Sequence, residues 1–392
     1  MPTRYEPDRA GLAALLAGEP RYRTDQVWDG LYRQLAGPSE LTTLPKGLRA
    51  RLDEELPPAL TPVAESVGDG GATVKWLFEL DGGARVETVL MHYRDRTTVC
   101  VSTQAGCAMG CGFCATGQAG FTRHLTTGEV VEQVVAAARR ARDEDRRLGN
   151  VVFMGMGEPL ANYDRVWPAV VRLHEDLGLS ARHLTLSTVG LVPGIRRLAA
   201  EELPVNLAVS LHAADDQLRS QLVPINKRYP LAVLMSACAE YLRAKGRRLS
   251  FEWAMIDGVN DRREDARRLA ELARGLPLPA HVNLIPLNRT PGYPTQGTPA
   301  AGVAAFREWL DALGVNATVR RNRGTAIDAA CGQLAARAAD LGAAGGGPAN
   351  GRRDRHRRGG STAPAGRGAG PAPVTIGRRD AGTAGRADAT AG

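Results

Sequence analysis

The stretch at residues 97–114, TTVCVSTQAGCAMGCGFC, joins a strand pattern to a dense group of cysteines. Its first half, TTVCVST, is rich in β-branched residues, which favours a buried β-strand. Its second half places Cys107, Cys111 and Cys114 in the spacing C-x3-C-x2-C, on a tight loop directly after that strand. Thiols clustered at this density are typical of metal sites. The stretch therefore predicts a strand with a metal or cluster site at its carboxyl end.

Strand and helix patterns alternate after this loop. Strand candidates lie at residues 150–156, 183–190, 205–212, 248–256, 281–287 and 316–321, and helix candidates at 126–145, 231–246, 263–275 and 301–314. Several of the strands are continuously apolar, as in a parallel sheet covered by helices. About six or seven such units predict an α/β fold built on a full or partial β/α barrel. The active site is then expected at the strand ends GMGEP, LST, SLH and IPLN.

The segments before and after the predicted barrel differ from it. Residues 21–35 and 45–56 repeat apolar side chains at helical spacing, which predicts a small N-terminal helical domain over 1–65. Its arginines either contact phosphate groups or form a solvated face. Alternating residues on both sides of Asp-Gly-Gly predict a β-hairpin extension over 66–96 that leads into a barrel over 97–340. Residues 341–392 are rich in Gly, Ala and Arg with few large apolar side chains, which predicts a disordered tail.

The charge is unevenly distributed along the chain. The net charge is +8, but the segment from residue 341 onward carries nine Arg against three Asp. The predicted folded part is therefore close to neutral, and any affinity for nucleic acid there must come from local patches. Two basic loops near the barrel mouth are candidates to hold phosphates, with ordinary solvation as the alternative: Lys227 and Arg228, and Arg320, Arg321 and Arg323.

Six cysteines in 392 residues do not make a disulfide scaffold. The N-terminus lacks the apolar core of a signal peptide, and no run approaches the ~18 apolar residues of a membrane span. We expect a reducing cytoplasm, where clustered cysteines bind metal or do chemistry. Cys238 lies on a mostly apolar helical pattern and is predicted to be a buried core thiol.

The cysteine loop favours an iron–sulfur cluster over zinc. Three thiolates can hold three irons of a [4Fe–4S] cluster and leave the fourth iron open to a small ligand. Zinc would more naturally use paired C-x2-C knuckles or nearby histidines. His124 lies ten residues beyond Cys114, in no standard zinc spacing.

The cysteine spacing after the first barrel strand resembles the signature of radical S-adenosylmethionine (SAM) enzymes. More narrowly, several segments in the same order resemble the RlmN family: residues 85–121, VVFMGMGEPLAN (151–162), LTLSTVG (184–190), VSLHA (209–213), VPINKRYP (223–230), HVNLIPLN (281–288) and IDAACGQL (327–334). The resemblance covers about residues 20–335. It implies a partial (β/α)6-type radical SAM barrel and methylation of C2 of an adenosine at the peptidyl transferase centre of 23S rRNA, and of adenosine 37 in tRNAs.

The resemblance also implies a mechanism with two cysteines outside the cluster. One SAM methylates a cysteine, and a second SAM, bound at the open iron of one [4Fe–4S] cluster, gives a radical that takes hydrogen from the S-methyl group. The resulting carbon radical adds to C2, and a second cysteine releases the product by forming a disulfide. The matching segments make Cys331 the methylated cysteine and Cys100 the resolving one. By residue pattern alone, both would be interpreted as core thiols.

Further site residues follow from the same matching. Glu87, in RVETV, corresponds to the proposed proton acceptor, although a solvated carboxylate is the default on an alternating strand. The implied SAM contacts are Gly157, Glu158, Ser187, Ser210, Leu211, His212 and Asn288. Each SAM contact falls at or just beyond a predicted strand end, as the barrel rule requires.

The implied partners are 23S rRNA, tRNA and an electron donor such as flavodoxin or ferredoxin, with the protein expected to be a cytoplasmic monomer that contacts no membrane. Two alternatives stay open. One is a related methyltransferase that acts on C8 of the same ribosomal adenosine. The other is a non-catalytic, zinc-stabilised RNA-binding protein, which would need only the cysteine loop and basic patches.

Overall fold

The computed structural model describes residues 1–288, 293 and 295–320. The helices are α1 (Arg9–Leu15), α2 (Tyr22–Tyr32), α3 (Lys46–Glu55), α4 (Ala115–Gln118), α5 (Thr127–Asp143), α6 (Tyr163–Glu175), α7 (Val192–Ala200), α8 (Asp216–Leu222), α9 (Leu231–Lys245), α10 (Arg263–Arg274) and α11 (Ala300–Ala312). The strands are β1 (Thr61–Gly68), β2 (Thr73–Glu79), β3 (Arg85–His92), β4 (Thr97–Cys100), β5 (Gln104–Gly106), β6 (Phe121–His124), β7 (Leu148–Phe153), β8 (Leu184–Thr188), β9 (Asn206–Ser210), β10 (Leu249–Met255), β11 (His281–Pro286) and β12 (Ala317–Val319). The predictions for Cys331, Arg321, Arg323 and the tail 341–392 lie outside the described residues.

One ten-stranded sheet organises the described part of the chain, in the order β1-β2-β3-β4-β7-β8-β9-β10-β11-β12. Strands β1 to β4 pair antiparallel with one another in chain order. Strand β4 and strands β7 to β12 pair in parallel. Helices connect the parallel strands, as such pairing requires. The predicted α/β fold with a partial β/α barrel is confirmed, and so is the hairpin of β2 and β3.

The parallel strands have one apolar and one more polar face, because successive side chains alternate across a sheet. Val99, Val151 and Leu186 lie on the apolar face, are almost fully buried and belong to the main hydrophobic core. Helix α5 packs against that core through Val130 and Val134, and it begins with a capping box between Thr126 and Glu129. The opposite face is left to carry the site.

The N-terminal part contains three helices followed by a strand that the sequence did not predict. Strand β1 begins at Thr61, inside the segment predicted to be helical over 1–65. Within the described part of the chain it is an edge strand that pairs with β2 alone, and its Val63 and Val67 side chains are exposed. Its sequence therefore lacks the buried, apolar face by which strand patterns are recognised. Among the described residues, no helix is both long and apolar enough to cross a membrane.

Candidate active site

The cysteine loop leaves the sheet immediately beyond β4 and is closed by a small ribbon. Strand β5 pairs antiparallel with β6, and the Cys107 N–H donates to the Gly120 carbonyl at 2.7 Å. Gly106 has φ +76°, and a Cβ there would lie 2.0 Å from the same carbonyl oxygen, so only glycine fits. The ribbon therefore fixes where the three thiols start and end.

A cavity of about 200 Å³ lies where the cysteine loop meets the carboxyl ends of the parallel strands. Its lining includes eight of the residues expected from the sequence: Cys107, Cys111, Cys114, Gly157, Glu158, Ser187, Ser210 and His212. These residues come from the ends of four strands, as expected for a β/α barrel site. Leu211 is fully buried beside the cavity, and Asn288 follows β11 in a partly buried position.

The three thiols fit an iron–sulfur cluster by the chemistry of their donor set. The three thiols line one cavity together, and a [4Fe–4S] cluster with one open iron needs one thiolate for each of the other three irons. No three His, Cys, Asp or Glu side chains in the described residues converge on a point suited to one metal ion. Burial raises the pKa of Cys107 to about 11 and the pKa of Cys111 well above its usual value. Cluster binding must therefore displace protons from these thiols.

The GMGEP turn brings backbone and a carboxylate to the cavity wall. Gly157 has φ +100°, and a Cβ there would lie 2.5 Å from Gln104 Cβ. The Glu158 carboxylate accepts hydrogen bonds from the Leu160 N–H at 3.0 Å and the Val189 N–H at 2.8 Å. Burial raises the pKa of Glu158 to about 7. An ammonium group placed beside this carboxylate would favour its charged form.

Ser187, Ser210 and His212 lie on successive strand ends. The Ser187 and Ser210 hydroxyls are 3.5 Å apart. His212 has φ +59°, and its Nδ1 accepts from the Ala254 N–H at 3.0 Å. Burial lowers the pKa of His212 to about 3, so the ring is neutral at physiological pH.

Glu87 and Cys100 lie on the same face of the sheet. Val89 of β3 is directly opposite Cys100 of β4, and Glu87 is two residues from Val89. Cys100 pairs with Val152 of β7, and Val152 pairs with Thr185 of β8, two residues before Ser187. The side chains of Glu87, Cys100 and Ser187 therefore lie on the same face of the sheet. The Glu87 carboxylate lies 2.9 Å from the Lys75 ammonium in a buried ion pair. The sequence alone predicts no partner for Glu87, because a solvated carboxylate and a buried one look alike in sequence.

Two further residues line the cavity: Glu252, which the sequence interpretation missed, and Arg320, for which it predicts only contact with phosphate. Glu252 is 2% exposed, and its Oε1 accepts from Asn283 at 2.8 Å and Ser250 at 3.0 Å. Its Oε2 has no hydrogen-bond partner among the described residues. Arg320, predicted only as a basic loop residue, lines the cavity with its Nη1 3.7 Å from Glu252. The one feature of the sequence that could have pointed to Glu252 as a site residue is a carboxylate inside the otherwise apolar strand pattern LSFEWAM.

The remaining predictions have mixed outcomes. Cys238 is fully buried on α9, as predicted, and burial raises the pKa of its thiol to about 12. Lys227 and Arg228 are exposed, and the Arg228 guanidinium lies 5.5 Å from the Tyr229 ring centroid. Their expected contact with RNA stays a prediction.

Comparison with known proteins agrees with this geometry. The family model of the radical SAM superfamily matches residues 101–270. A "Probable dual-specificity RNA methyltransferase RlmN" of Roseiflexus castenholzii is 49% identical over 383 residues, covering 86% of this chain and 96% of that protein. A protein of the same name from Frankia casuarinae is 54% identical over 336 residues, covering 82% of this chain and 79% of that protein.

Similarity extends to a solved structure. A radical SAM methyltransferase from Sphaerobacter thermophilus is 53% identical, with a TM-score of 0.82, and the match covers 85% of this chain and 99% of that one. Identity at this level over most of both chains goes well beyond a shared fold. The chain belongs to the RlmN family within the radical SAM superfamily.

Proposed function

We propose that this protein methylates C2 of an adenosine in 23S rRNA, and of adenosine 37 in tRNAs, through an S-methyl group carried by Cys331. The observation that supports this most strongly is the single cavity shared by the three loop thiols, Glu158 and the serines at the strand ends. The relatives are named as dual-specificity RNA methyltransferases, which supports RNA as the substrate class.

The residues around the cavity have distinct tasks in this proposal. Cys107, Cys111 and Cys114 hold a [4Fe–4S] cluster, which when bound supplies the electron for reductive cleavage of SAM. Glu158 receives the ammonium group of SAM through its buried carboxylate. The strand-end serines would offer hydroxyls to the rest of the cofactor, and the neutral His212 adds no charge to the cavity.

Glu87 and Cys100 act on the covalent steps. Two SAM molecules are consumed per turnover, one to methylate Cys331 and one to activate the methyl group. Glu87 takes the proton that the substrate loses, and Lys75 orients the carboxylate from 2.9 Å. Once the adduct has lost this proton and returned one electron to the electron-donor couple, the Cys100 thiolate attacks the Cys331 sulfur. The S–S bond forms as the S–C bond breaks, and the released carbon takes up a proton to become the methyl group of the base. An electron donor such as flavodoxin or ferredoxin supplies the electron for SAM cleavage, and a thiol reductant returns the disulfide to two thiols with two electrons. The proposed unit is a cytoplasmic monomer.

Mapping the methyl group on RNA tests this proposal. Anaerobically purified protein is incubated with SAM, dithionite and either a 23S rRNA fragment or tRNA, and nucleosides are compared with 2-methyl- and 8-methyladenosine by mass spectrometry. We expect 2-methyladenosine, lost in Cys114→Ser and Cys331→Ala but retained in Cys238→Ala, the matched control at a core thiol. A product at C8 contradicts the position, and a colourless, zinc-containing protein contradicts the chemistry.

Mass spectrometry of the Cys331 peptide tests the intermediate separately. We expect an added methyl group on Cys331 in protein with an intact cysteine loop and none in Cys114→Ser. Unmodified thiol in active, SAM-supplied protein would contradict the proposed carrier.

A further inference from the structure

Arg219 on α8 is a fully buried cation that points at the backbone of the strand ends. Its guanidinium donates to the Val189 carbonyl at 2.7 Å and to the Leu211 carbonyl at 3.1 Å. It also donates to the Asn226 side-chain oxygen at 2.8 Å. These bonds tie one side chain to the ends of β8 and β9, the two strands that also carry Ser187 and Ser210.

The charge of Arg219 is not neutralised by a directly paired carboxylate. Within the described residues, no Asp or Glu oxygen lies within the 4.0 Å of an ion pair, and Asp216 is reached only through Asn226. Burying a cation without a counter-charge is costly. Burial lowers the pKa of Arg219 to about 10, which still leaves the group charged at neutral pH. The fold therefore keeps a buried positive charge at the ends of β8 and β9, although burying it is energetically unfavourable.

The cysteine loop lies next to this cation. Cys111 packs in a small apolar cluster with Leu218 and Leu222, which flank Arg219 on α8. Val189 links Arg219 to the cavity wall, since the Val189 N–H donates to Glu158 and the Val189 carbonyl accepts from Arg219. Helix α8 thus holds Arg219 close to the Cys111 part of the loop, although Arg219 does not itself line the cavity.

We propose that Arg219 is a positioning residue that serves as the buried counter-charge of the iron–sulfur cluster and raises its reduction potential. The inference rests on the proposed function, because it requires the cluster. Thiolate ligation makes the site anionic, and one-electron reduction adds a further negative charge. A nearby buried cation stabilises the reduced form more than the oxidised form, since screening by water is weak there. The carbonyl contacts hold the guanidinium in place for this role.

Potentiometry on three variants tests the inference. The midpoint potential is measured without SAM by EPR-monitored titration with mediator dyes, in Arg219→Gln, Arg219→Lys and the exposed control Arg196→Met. Gln removes the charge and keeps hydrogen-bond donors, whereas Lys keeps the charge and loses the planar fork. We expect Arg219→Gln to lower the midpoint potential by at least about 59 mV, which for a one-electron couple is a tenfold shift of the reduced-to-oxidised ratio toward the oxidised cluster. We expect Arg219→Lys to shift it far less, and Arg196→Met not at all.

The outcomes separate the inference from the proposed function. A wild-type protein that binds no iron and sulfide would refute the proposed function itself. A normal cluster spectrum with an unchanged potential in Arg219→Gln would refute the inference alone. Equal shifts in Arg219→Gln and Arg219→Lys would also overturn it, because they would assign Arg219 to backbone support without an electrostatic role. Circular dichroism of each variant confirms that the fold compared is the same.

Discussion

The buried ion pair between Lys75 and Glu87 makes a quantitative prediction about stability. The two charged groups lie 2.9 Å apart, and their side chains are 0% and 2% exposed. Removing one partner of such a pair leaves a buried charge, which costs about 3–5 kcal/mol, whereas replacing both partners costs much less. We expect Lys75→Met to destabilise the protein by that amount. We expect the double variant Lys75→Met/Glu87→Gln to be more stable than the sum of the single changes by about 2 kcal/mol or more.

Urea unfolding of the metal-free protein, followed by circular dichroism, measures this double-mutant cycle through the transition midpoints. The exposed pair Arg196–Glu240 provides the matched control, because both of its side chains are at least 40% exposed. Its coupling should be much smaller, since exposed pairs are screened by solvent. If the Lys75–Glu87 cycle is additive within about 0.5 kcal/mol, the pair does not carry the electrostatic coupling inferred here.

Two further changes test other parts of the structure. Burial raises the pKa of Glu132 to about 7 from 4.5. Between these pH values the folded state keeps a proton that the unfolded state releases, so the free energy of unfolding falls as the pH rises through this window. Glu132→Gln can still accept a hydrogen bond from the Ala59 N–H, so it should remove this pH dependence and stabilise the protein by roughly 3 kcal/mol at pH 8. The measurement is the urea midpoint as a function of pH. An unchanged slope in the variant would show that Glu132 does not cause the pH dependence. Gly157→Ala should weaken SAM binding at least about tenfold, measured by equilibrium dialysis, because the added Cβ would meet Gln104. Gly178→Ala is the control for backbone strain alone, because Gly178 also has a positive φ of +76° but has open space around it. Equal SAM affinities in the two variants would contradict the close approach at Gly157.

Local patterns were sufficient for the framework of the fold. The alternating residues around Asp-Gly-Gly gave the β2–β3 hairpin, and the apolar runs gave the parallel strands, because strand period and turn chemistry are encoded within a few neighbouring residues. The cysteine spacing likewise indicated the metal chemistry, since it sets which thiols can share one loop. Strand β1 escaped this reasoning because an exposed edge strand has little apolar pattern.

Buried charges were beyond the reach of the sequence. Lys75, Arg219 and Glu252 appear in the sequence as ordinary charged residues, yet each is at most 2% exposed. Their partners are fixed by strand register and helix packing, such as the 30 residues that separate Arg219 from Val189. No local pattern records which element covers a side chain, so the polarity of a position does not reveal its burial.

The sequence by itself determined the class of chemistry, because three cysteines at this spacing on one loop restrict the metal site regardless of the rest of the chain. Only the tertiary structure decided the environment of that chemistry. Parallel register brings the GMGEP turn, Ser187 and Ser210 to one cavity with the loop. The antiparallel pairing of β3 with β4 places Glu87 on the same face of the sheet as Cys100. The physical reason is that identity of ligands is a local property, whereas burial, charge pairing and pKa depend on groups that are distant in sequence and adjacent only after folding.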